Sequence, residues 1–477
     1  MRAWTPERVE QAAGARLVAA GGSDPAGRTG PGPTRVTIDS REVVPGDLFV
    51  GLPGATHDGG RFAAQALAAG AWGVLVAPAH APDDAAAVVL AHDDPLAGLQ
   101  SLARAWRREL AAPVIAITGS TGKTSTKDIL AALLAPHRRT FVSRGNFNTE
   151  IGLPLELLAA PAGTEALVLE MGMRGAGQIR ELAQIAEPDV GVIVNIGPAH
   201  LELLGSVEAI AAAKAELIAD LHERATAVIP ANEPLLDPHR RDDIATVTFG
   251  PGGDVTLARQ DPDGRVEIDA QGERIALTLD FQQAHLRGNL LAAVGAARAI
   301  GVTPGGTVTV SFSGRRGERM RLASGVTVID DCYNANPMSM RAALDDLAAT
   351  AGEGRSVAVL GDMLELGPEE ARFHAEIGAR AAASGVDLLI AVGPRSRATA
   401  DAFRDGGAGA GAARERQVLA DAAQAAALVP KLVRAGDTVL VKGSRGVGLE
   451  VVTAAIVAAL GDRDGDGAAG ADGGATG

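Results

Sequence analysis

The chain predicts an α/β protein of three domains: a small N-terminal α/β domain, a central P-loop domain on a doubly wound parallel sheet with appended antiparallel strands, and a C-terminal Rossmann-like α/β domain. Three observations carry this. Apolar β-branched runs alternate with helical patterns from Pro113 onward, as a parallel sheet requires. A glycine-bracketed turn carrying Lys123 and Thr124 joins one such run to a helix. The alternation then starts afresh near Ser311, after the glycine-rich stretch GVTPGGTVTV. A length of 477 residues also exceeds one ordinary core.

The expected boundaries are 1–112, 113–310 and 311–461. In the first segment the short runs TRVTID, GDLFVGL, WGVLVA and AAVVLA read as strands, with helices near 61–70 and 95–110. In the second, VIAIT, ALVLEMG, VGVIVNIG and ATAVIP read as strands separated by helices. Between about Val247 and Phe281 the pattern alternates around Asp-Gly and Gln-Gly turns, which predicts antiparallel strands added to that sheet. In the third, VTVIDD, RSVAVLG, VDLLIAVG and DTVLVKGS repeat the parallel pattern. Residues 462–477 hold too little apolar surface to offset their ordering entropy and predict a disordered tail.

The densest chemical signal lies in VIAITGSTGKTSTKDILAALL. Gly119 and Gly122 allow a tight turn whose N–H groups, with those of Ser120, Thr121 and Ser125, face an anion. Lys123 reaches terminal phosphates, Thr124 offers a hydroxyl to Mg²⁺, and the helix N-terminus adds partial positive charge. The implied ligand is a nucleoside triphosphate. Two residues separate the glycines where the general pattern has four, so a plain strand-to-helix turn with a solvated lysine is the alternative. Ligands of open parallel sheets collect beyond the strands' carboxyl ends. Glu170 ends one such strand, His200 follows another, and Lys214 lies on the helix AIAAAKAELI. Singly these read as a capping acid, a loop histidine and a solvated lysine; their company with the phosphate loop argues otherwise.

Charge and composition narrow the function. With 44 basic and 58 acidic residues the formal charge is −14, and no basic block or aromatic-basic stripe is present, which argues against a nucleic-acid partner. The one cysteine, Cys332, cannot form an internal disulfide and fits a reducing compartment. The N-terminus has no apolar leader, and no run approaches the roughly 18 apolar residues of a membrane span. A cytoplasmic protein, expected as a monomer, follows.

In order and spacing, ITGSTGKTS, SRGNFNTEIGLPLELL, LEMGMRGAGQI, NIGPAHLELLGS with Lys214, HLRGN and IDDCYNANPMSM resemble the Mur ligase family. The likeness runs from about residue 35 to 455. It implies that TIDSREVVPGDLFVGLPGATHDGGRF belongs to a uridine-nucleotide-binding domain, in which Ser40 and Arg41 meet uridine or its diphosphate. It further implies that Lys123 and Thr124 hold ATP and Mg²⁺, that Glu170 and His200 complete the metal sites, and that Lys214 is carbamylated to support a second Mg²⁺. Asn232 and Asn289 match adenosine-side positions, and Asn146, Asn148 and Thr149 match a loop against the nucleotide-linked substrate. His285 is kept, but the glycine usual two residues earlier is Gln283. Arg316 with Glu318 matches an Arg-x-Glu element, with Arg315 as its rival for the ATP contact. Asp331, Asn334 and Asn336 fall on a loop that meets ATP and the incoming amine.

YNANP, LGDMLELG and KGSRGVGLE resemble the family members that join D-alanyl-D-alanine to a UDP-N-acetylmuramoyl-tripeptide. Members that add the third peptide residue carry DYAHTPD-like and DNPR-like elements, where this chain has DDCYNANP and no DNPR. The resemblance thus implies an ATP- and Mg²⁺-dependent amide ligase acting through an acyl phosphate, with His200 or Asp331 assisting deprotonation of the amine. Two other readings stand beside it: a kinase, disfavoured by the uridine-type N-terminal domain, and a non-catalytic ATP-binding partner, disfavoured by the retention of Lys123, Glu170, His200 and Lys214. His374 reads as structural, and Cys332 as a poor nucleophile with no histidine near it in sequence.

Overall fold

The computed structural model describes residues 1, 3–20, 32–54, 57–83, 87–405 and 415–461; the expected tail at 462–477 lies outside them. The chain divides into two compact units. One comprises Met1–Ile196, Ala211–Gln282 and Arg287–Ser311; the other comprises Gly197–Ile210, Gln283–Leu286 and the chain from Phe312 onward. Among the described residues the strands form three sheets.

The first sheet holds β1 (Arg16–Ala20), β2 (Arg35–Thr37), β3 (Asp47–Val50), β4 (Gly73–Val76) and β5 (Val88–Ala91), in the order β1-β5-β4-β3-β2. β2 to β5 are parallel and β1 is antiparallel to β5. β3, β4 and β5 are buried along their length, which explains why they read as continuous apolar runs. The helix Pro95–Leu110 falls where the sequence predicts it, because Asp94 caps it through the N–H groups of Leu96 and Ala97 and Pro95 sits in its first turn. The helix buries Leu99, Leu102 and Trp106, and the Trp106 indole donates to the Ala160 carbonyl at 3.0 Å, joining this segment to the end of the helix Gly152–Ala159.

The second sheet holds β6 (Val114–Thr118), β7 (Thr140–Val142), β8 (Ala166–Glu170), β9 (Val190–Ile193), β10 (Thr226–Pro230), β11 (Ala245–Phe249), β12 (Val255–Gln260), β13 (Arg265–Ala270), β14 (Glu273–Leu279) and β15 (Gly306–Val308). Its order is β15-β14-β13-β12-β11-β10-β9-β6-β8-β7. Strands β6 to β11 are parallel and their order reverses about β6, the crevice where doubly wound sheets bind ligands. β12, β13 and β14 are the expected antiparallel addition. Gln271 and Gly272 both take positive φ (55° and 85°), the turn geometry whose twist suits a two-residue hairpin. β15, a three-residue edge strand parallel to β14, arises inside the stretch read from sequence as a glycine-rich junction. So short a strand carries no period to detect.

In the second unit β16 (Glu318–Arg321), β17 (Thr327–Asp331), β18 (Ser356–Gly361), β19 (Leu388–Val392), β20 (Glu415–Leu419) and β21 (Thr438–Lys442) take the order β16-β17-β21-β18-β19-β20. The four inner strands are the four runs the sequence marks. They are parallel and enclose a core that includes Val328, Val359, Ile390 and Val441. The two edges, ERMR and ERQVL, escape a hydrophobic reading because they are charged and largely exposed, as edge strands are when they avoid further pairing. No helix among the described residues is long and apolar enough to cross a membrane.

Candidate active site

In the first unit the fully buried β6 delivers residues 119–122 to the helix Lys123–Leu134. Gly122 stands at the helix N-cap with φ +77°, and a Cβ there would lie 2.9 Å from the Asn289 amide, so both conformation and space call for glycine. Asn195, at the end of the neighbouring β9 region, pins the turn. Its side chain accepts from the Thr121 N–H and donates to the Thr121 carbonyl, both at 3.0 Å, while its own carbonyl accepts from Ser120 N–H at 3.1 Å. Sequence reading missed this residue, although its place just beyond VGVIV was a signal. Lys123 Nζ donates to the Gly119 carbonyl at 2.9 Å, so the ammonium curls over the turn.

Thr124 and Glu170, both buried, come together as expected. The Thr124 hydroxyl donates to Glu170 Oε2 at 2.6 Å, and the Asn148 amide donates to Oε1 at 2.9 Å. Asn148, expected on a substrate loop, is thereby placed on the carboxylate beside the phosphate turn. The Glu170 N–H is held by Ser143 Oγ at 3.0 Å, and Ser143 in turn is held through its carbonyl by the buried Lys127 ammonium at 2.6 Å. Among the described residues Glu170 forms hydrogen bonds with neutral groups and no ion pair. Carboxylate oxygens held by a hydroxyl and an amide are hard oxygen donors of the kind that suit a cation such as Mg²⁺. Lys214, on the helix Val207–Ala219, is 2% exposed. Burial, and secondarily the charge of Lys123, hold its amine well below the usual lysine range. No hydrogen-bond or ion-pair partner for it occurs among the described residues.

Asn289 is buried with its amide 3.4 Å from the Gly122 carbonyl, so it backs the phosphate turn, whereas Asn232 is exposed and bonds the Pro251 carbonyl at 2.8 Å. Asn146 and Thr149 are exposed, and the Thr149 hydroxyl accepts from Gly152 N–H at 3.4 Å at the start of a helix. In the first sheet, Ser40 is half-buried and Arg41 pairs with Asp39 at 2.6 Å, its side chain 83% exposed. The hydrogen bond from the Arg41 side chain draws the Asp39 carboxyl down to about 2.

In the second unit Asp331 and Lys442 end adjacent parallel strands in register and form a 2.7 Å ion pair. Lys442, 2% exposed, also donates to the Asn334 carbonyl at 2.9 Å; sequence reading missed it because its partners lie over a hundred residues away. Asn336 caps the helix Pro337–Thr350 in a reciprocal arrangement with Ser339, an architectural task the pattern N-x-x-S announces. The two candidate arginines separate. Arg316 lies over the ring of Tyr333 at 3.9 Å, with Arg445 on the same ring at 6.0 Å, whereas Arg315 takes φ +61° and approaches Glu450 at 3.9 Å. Glu318 accepts from the Arg315 N–H at 3.4 Å. His200 also belongs to this unit, with Nδ1 2.5 Å from Glu365 Oε2. His285 is exposed in the short segment Gln283–Leu286.

His374 is structural, as read from sequence: buried, it accepts from Met363 N–H at 3.0 Å and faces the Glu370 carbonyl through Nδ1. Cys332 is buried with its thiol pushed up mainly by desolvation, an environment that disfavours the nucleophilic thiolate. Among the described residues no three His, Cys, Asp or Glu side chains form a metal-binding group. Of the residues expected to serve a metal, Thr124, Glu170 and Lys214 lie in the first unit and His200 in the second.

Three family models match in sequence: the Mur ligase family catalytic domain over 34–107, the Mur ligase middle domain over 117–297 and the Mur ligase glutamate ligase domain over 315–445. A Synechocystis protein named UDP-N-acetylmuramoyl-tripeptide–D-alanyl-D-alanine ligase is 37% identical over 435 residues, covering 89% of this chain and 92% of its own. The chain belongs to the Mur ligase family. Among solved structures, MurF from Acinetobacter baumannii superposes with TM-score 0.81 at 28% identity, covering 95% of this Mur ligase and 99% of its own chain. MurF ligase from Thermotoga maritima, in complex with ADP, gives TM-score 0.77 at 31% identity, covering 89% and 97%. The architecture expected from sequence is thus that of a Mur ligase.

Proposed function

We propose that this Mur ligase joins D-alanyl-D-alanine to UDP-N-acetylmuramoyl-tripeptide at the expense of ATP, through an acyl phosphate. The observation that carries the reading is the pinned Gly119–Thr124 turn beside the buried Glu170, which the Thr124 hydroxyl bonds, in a chain whose relatives bear that ligase's name. Segment 1–112 takes the uridine nucleotide, with Ser40 and Arg41 on its first loop. Segment 113–310 takes ATP, and 311–461 supplies Asp331, Asn334 and Arg316 to the nucleotide and amine. The low cysteine content and acidic balance support a cytoplasmic enzyme, and we take it to act as a monomer.

A carboxylate does not acylate an amine at neutral pH, because its leaving group would be oxide. The substrate carboxylate oxygen attacks the γ-phosphorus, the bond to the ADP oxygen breaks, and an acyl phosphate forms. The amine then attacks the acyl carbon, its proton passes to a base, and phosphate leaves with the C–O bonding pair. Repulsion between carboxylate and triphosphate has to be neutralised, a task for Lys123 and Arg316. Thr124, Glu170 and the carbamate form of Lys214 would hold Mg²⁺, which when bound supplies further charge neutralisation at the phosphates. His200 and Asp331 are the two candidate bases for the incoming ammonium.

The direct test offers the purified chain ATP, Mg²⁺ and UDP-muramoyl-tripeptide with a panel of amino acids and dipeptides. D-alanyl-D-alanine should give one ADP, one phosphate and one pentapeptide product per turnover, with single amino acids at least about tenfold slower, since a site built for a dipeptide loses its contacts with a shorter acceptor. Equal turnover with a single amino acid, or addition to a dipeptide precursor, would replace this reading by another member of the family.

A further inference from the structure

Within the second unit the turn that carries His200 is clamped from two sides. A Cβ on Gly197 would fall 1.9 Å from Met338 Sδ, so the segment packs without a gap against the start of the helix Pro337–Thr350. On the other side the Glu202 N–H donates to the Glu365 carbonyl at 3.0 Å, and Gly367 approaches Glu202 so closely that a Cβ would lie 3.2 Å from its Cα. Between these backbone contacts runs the bond from His200 Nδ1 to Glu365 Oε2. His200 and Glu365 both hold positive φ, +60° and +63°, a region uncommon outside glycine, which Asn, Asp and His enter more readily than Glu. Two such residues meeting through their side chains mark a place where packing overrides local preference, and backbone strain of this kind gathers at functional sites.

We infer that Glu365 is a positioning residue for His200. Its carboxylate accepts the proton of Nδ1, selects that tautomer and fixes the ring plane, so that Nε2 is the nitrogen with the acceptor lone pair. Histidines that hold metals are commonly oriented in this way by a carboxylate on the other ring nitrogen, and loss of the carboxylate weakens metal affinity. The inference rests on the ligase reading for the use made of His200, and on the His200–Glu365 contact for the rest. It gives the LGDMLELG segment a chemical task beyond architecture: Asp362 serves the fold by accepting from Ser396 N–H at 2.7 Å, and Glu365 serves the histidine.

Two measurements on the full chain test it. Nitrogen-15 spectra of the histidine rings in the metal-free protein, at a pH of about 8.5 where an ordinary imidazole is neutral, should show His200 protonated on Nδ1. The same pattern should persist in Glu365→Gln, whose amide oxygen still accepts, and give way to Nε2 protonation in Glu365→Ala. Mg²⁺ titration by calorimetry with ADP present should be weaker by about 10–100-fold in Glu365→Ala and less affected in Glu365→Gln. A wild-type ring protonated on Nε2, or an alanine variant with the wild-type tautomer and Mg²⁺ affinity, overturns the inference. Should the alanine variant fail to fold, the wild-type and glutamine spectra decide it. The ring spectra need no turnover, so a chain that shows the Nδ1 tautomer and yet fails to ligate overturns the ligase reading and leaves the His200–Glu365 contact standing.

Discussion

Lys123→Ala is expected to lower ligation by at least about 10²–10³-fold, the scale of losing one preorganised charge at a developing phosphoryl transition state, while leaving the fold intact. The lysine opens the helix Lys123–Leu134, where alanine propagates a helix at least as well, and its ammonium bonds a loop carbonyl outside the hydrophobic core. A second effect compounds the first. The charge of Lys123 is one of the two causes that hold the Lys214 amine down, so its removal lets Lys214 retain its proton to higher pH. Changes at positions 123 and 214 should therefore be non-additive. Steady-state kinetics with circular dichroism checks this, and a folded variant that ligates near the wild-type rate would remove the phosphate-turn assignment.

Lys214→Ala is expected to lose most activity and to regain part of it with acetate. Burial disfavours the ammonium, so the neutral amine that attacks CO₂ persists well below the pH at which an exposed lysine would protonate. The resulting carbamate is an anion of carboxylate type, able to support Mg²⁺ beside Glu170. The sign of the accompanying pH dependence follows. Between the lowered folded-state pKa and the ordinary value near 10.4, the unfolded chain binds a proton that the folded chain does not, so this lysine makes the unmodified protein more stable as pH rises through that window. Acetate occupying the vacated space restores the anion. Rescue by a small amine and not by a carboxylate would overturn the carbamate and leave the ligase assignment in place.

The features legible in the sequence are those whose partners are near neighbours along the chain or whose burial is two-sided. The phosphate turn spells itself out in six consecutive residues, and strands such as β4, β6, β18 and β21 appear as apolar runs because both faces are covered. That Glu170 faces the phosphate turn is legible because strand ends in this kind of sheet converge there, and its bond from Thr124 agrees. Legibility fails where a residue acts through distant contacts. Asn195 holds Thr121 from 74 positions away, Lys442 holds Asp331 from 111, and Glu365 meets His200 across 165. Asn148 shows a contact that its loop does not announce. Its place in a polar loop predicts a substrate-side position, and its amide also bonds Glu170, 22 positions away.

The chemistry proposed for this site is tested most directly by the fate of oxygen. UDP-muramoyl-tripeptide labelled with ¹⁸O at both oxygens of its terminal carboxylate, incubated with ATP, Mg²⁺ and D-alanyl-D-alanine, is expected to deliver one ¹⁸O to inorganic phosphate for each amide formed. The other label stays in the new amide carbonyl, and ADP carries none. Phosphate without label, or label recovered in AMP with release of pyrophosphate, would contradict an acyl-phosphate ligase built on the Lys123 turn.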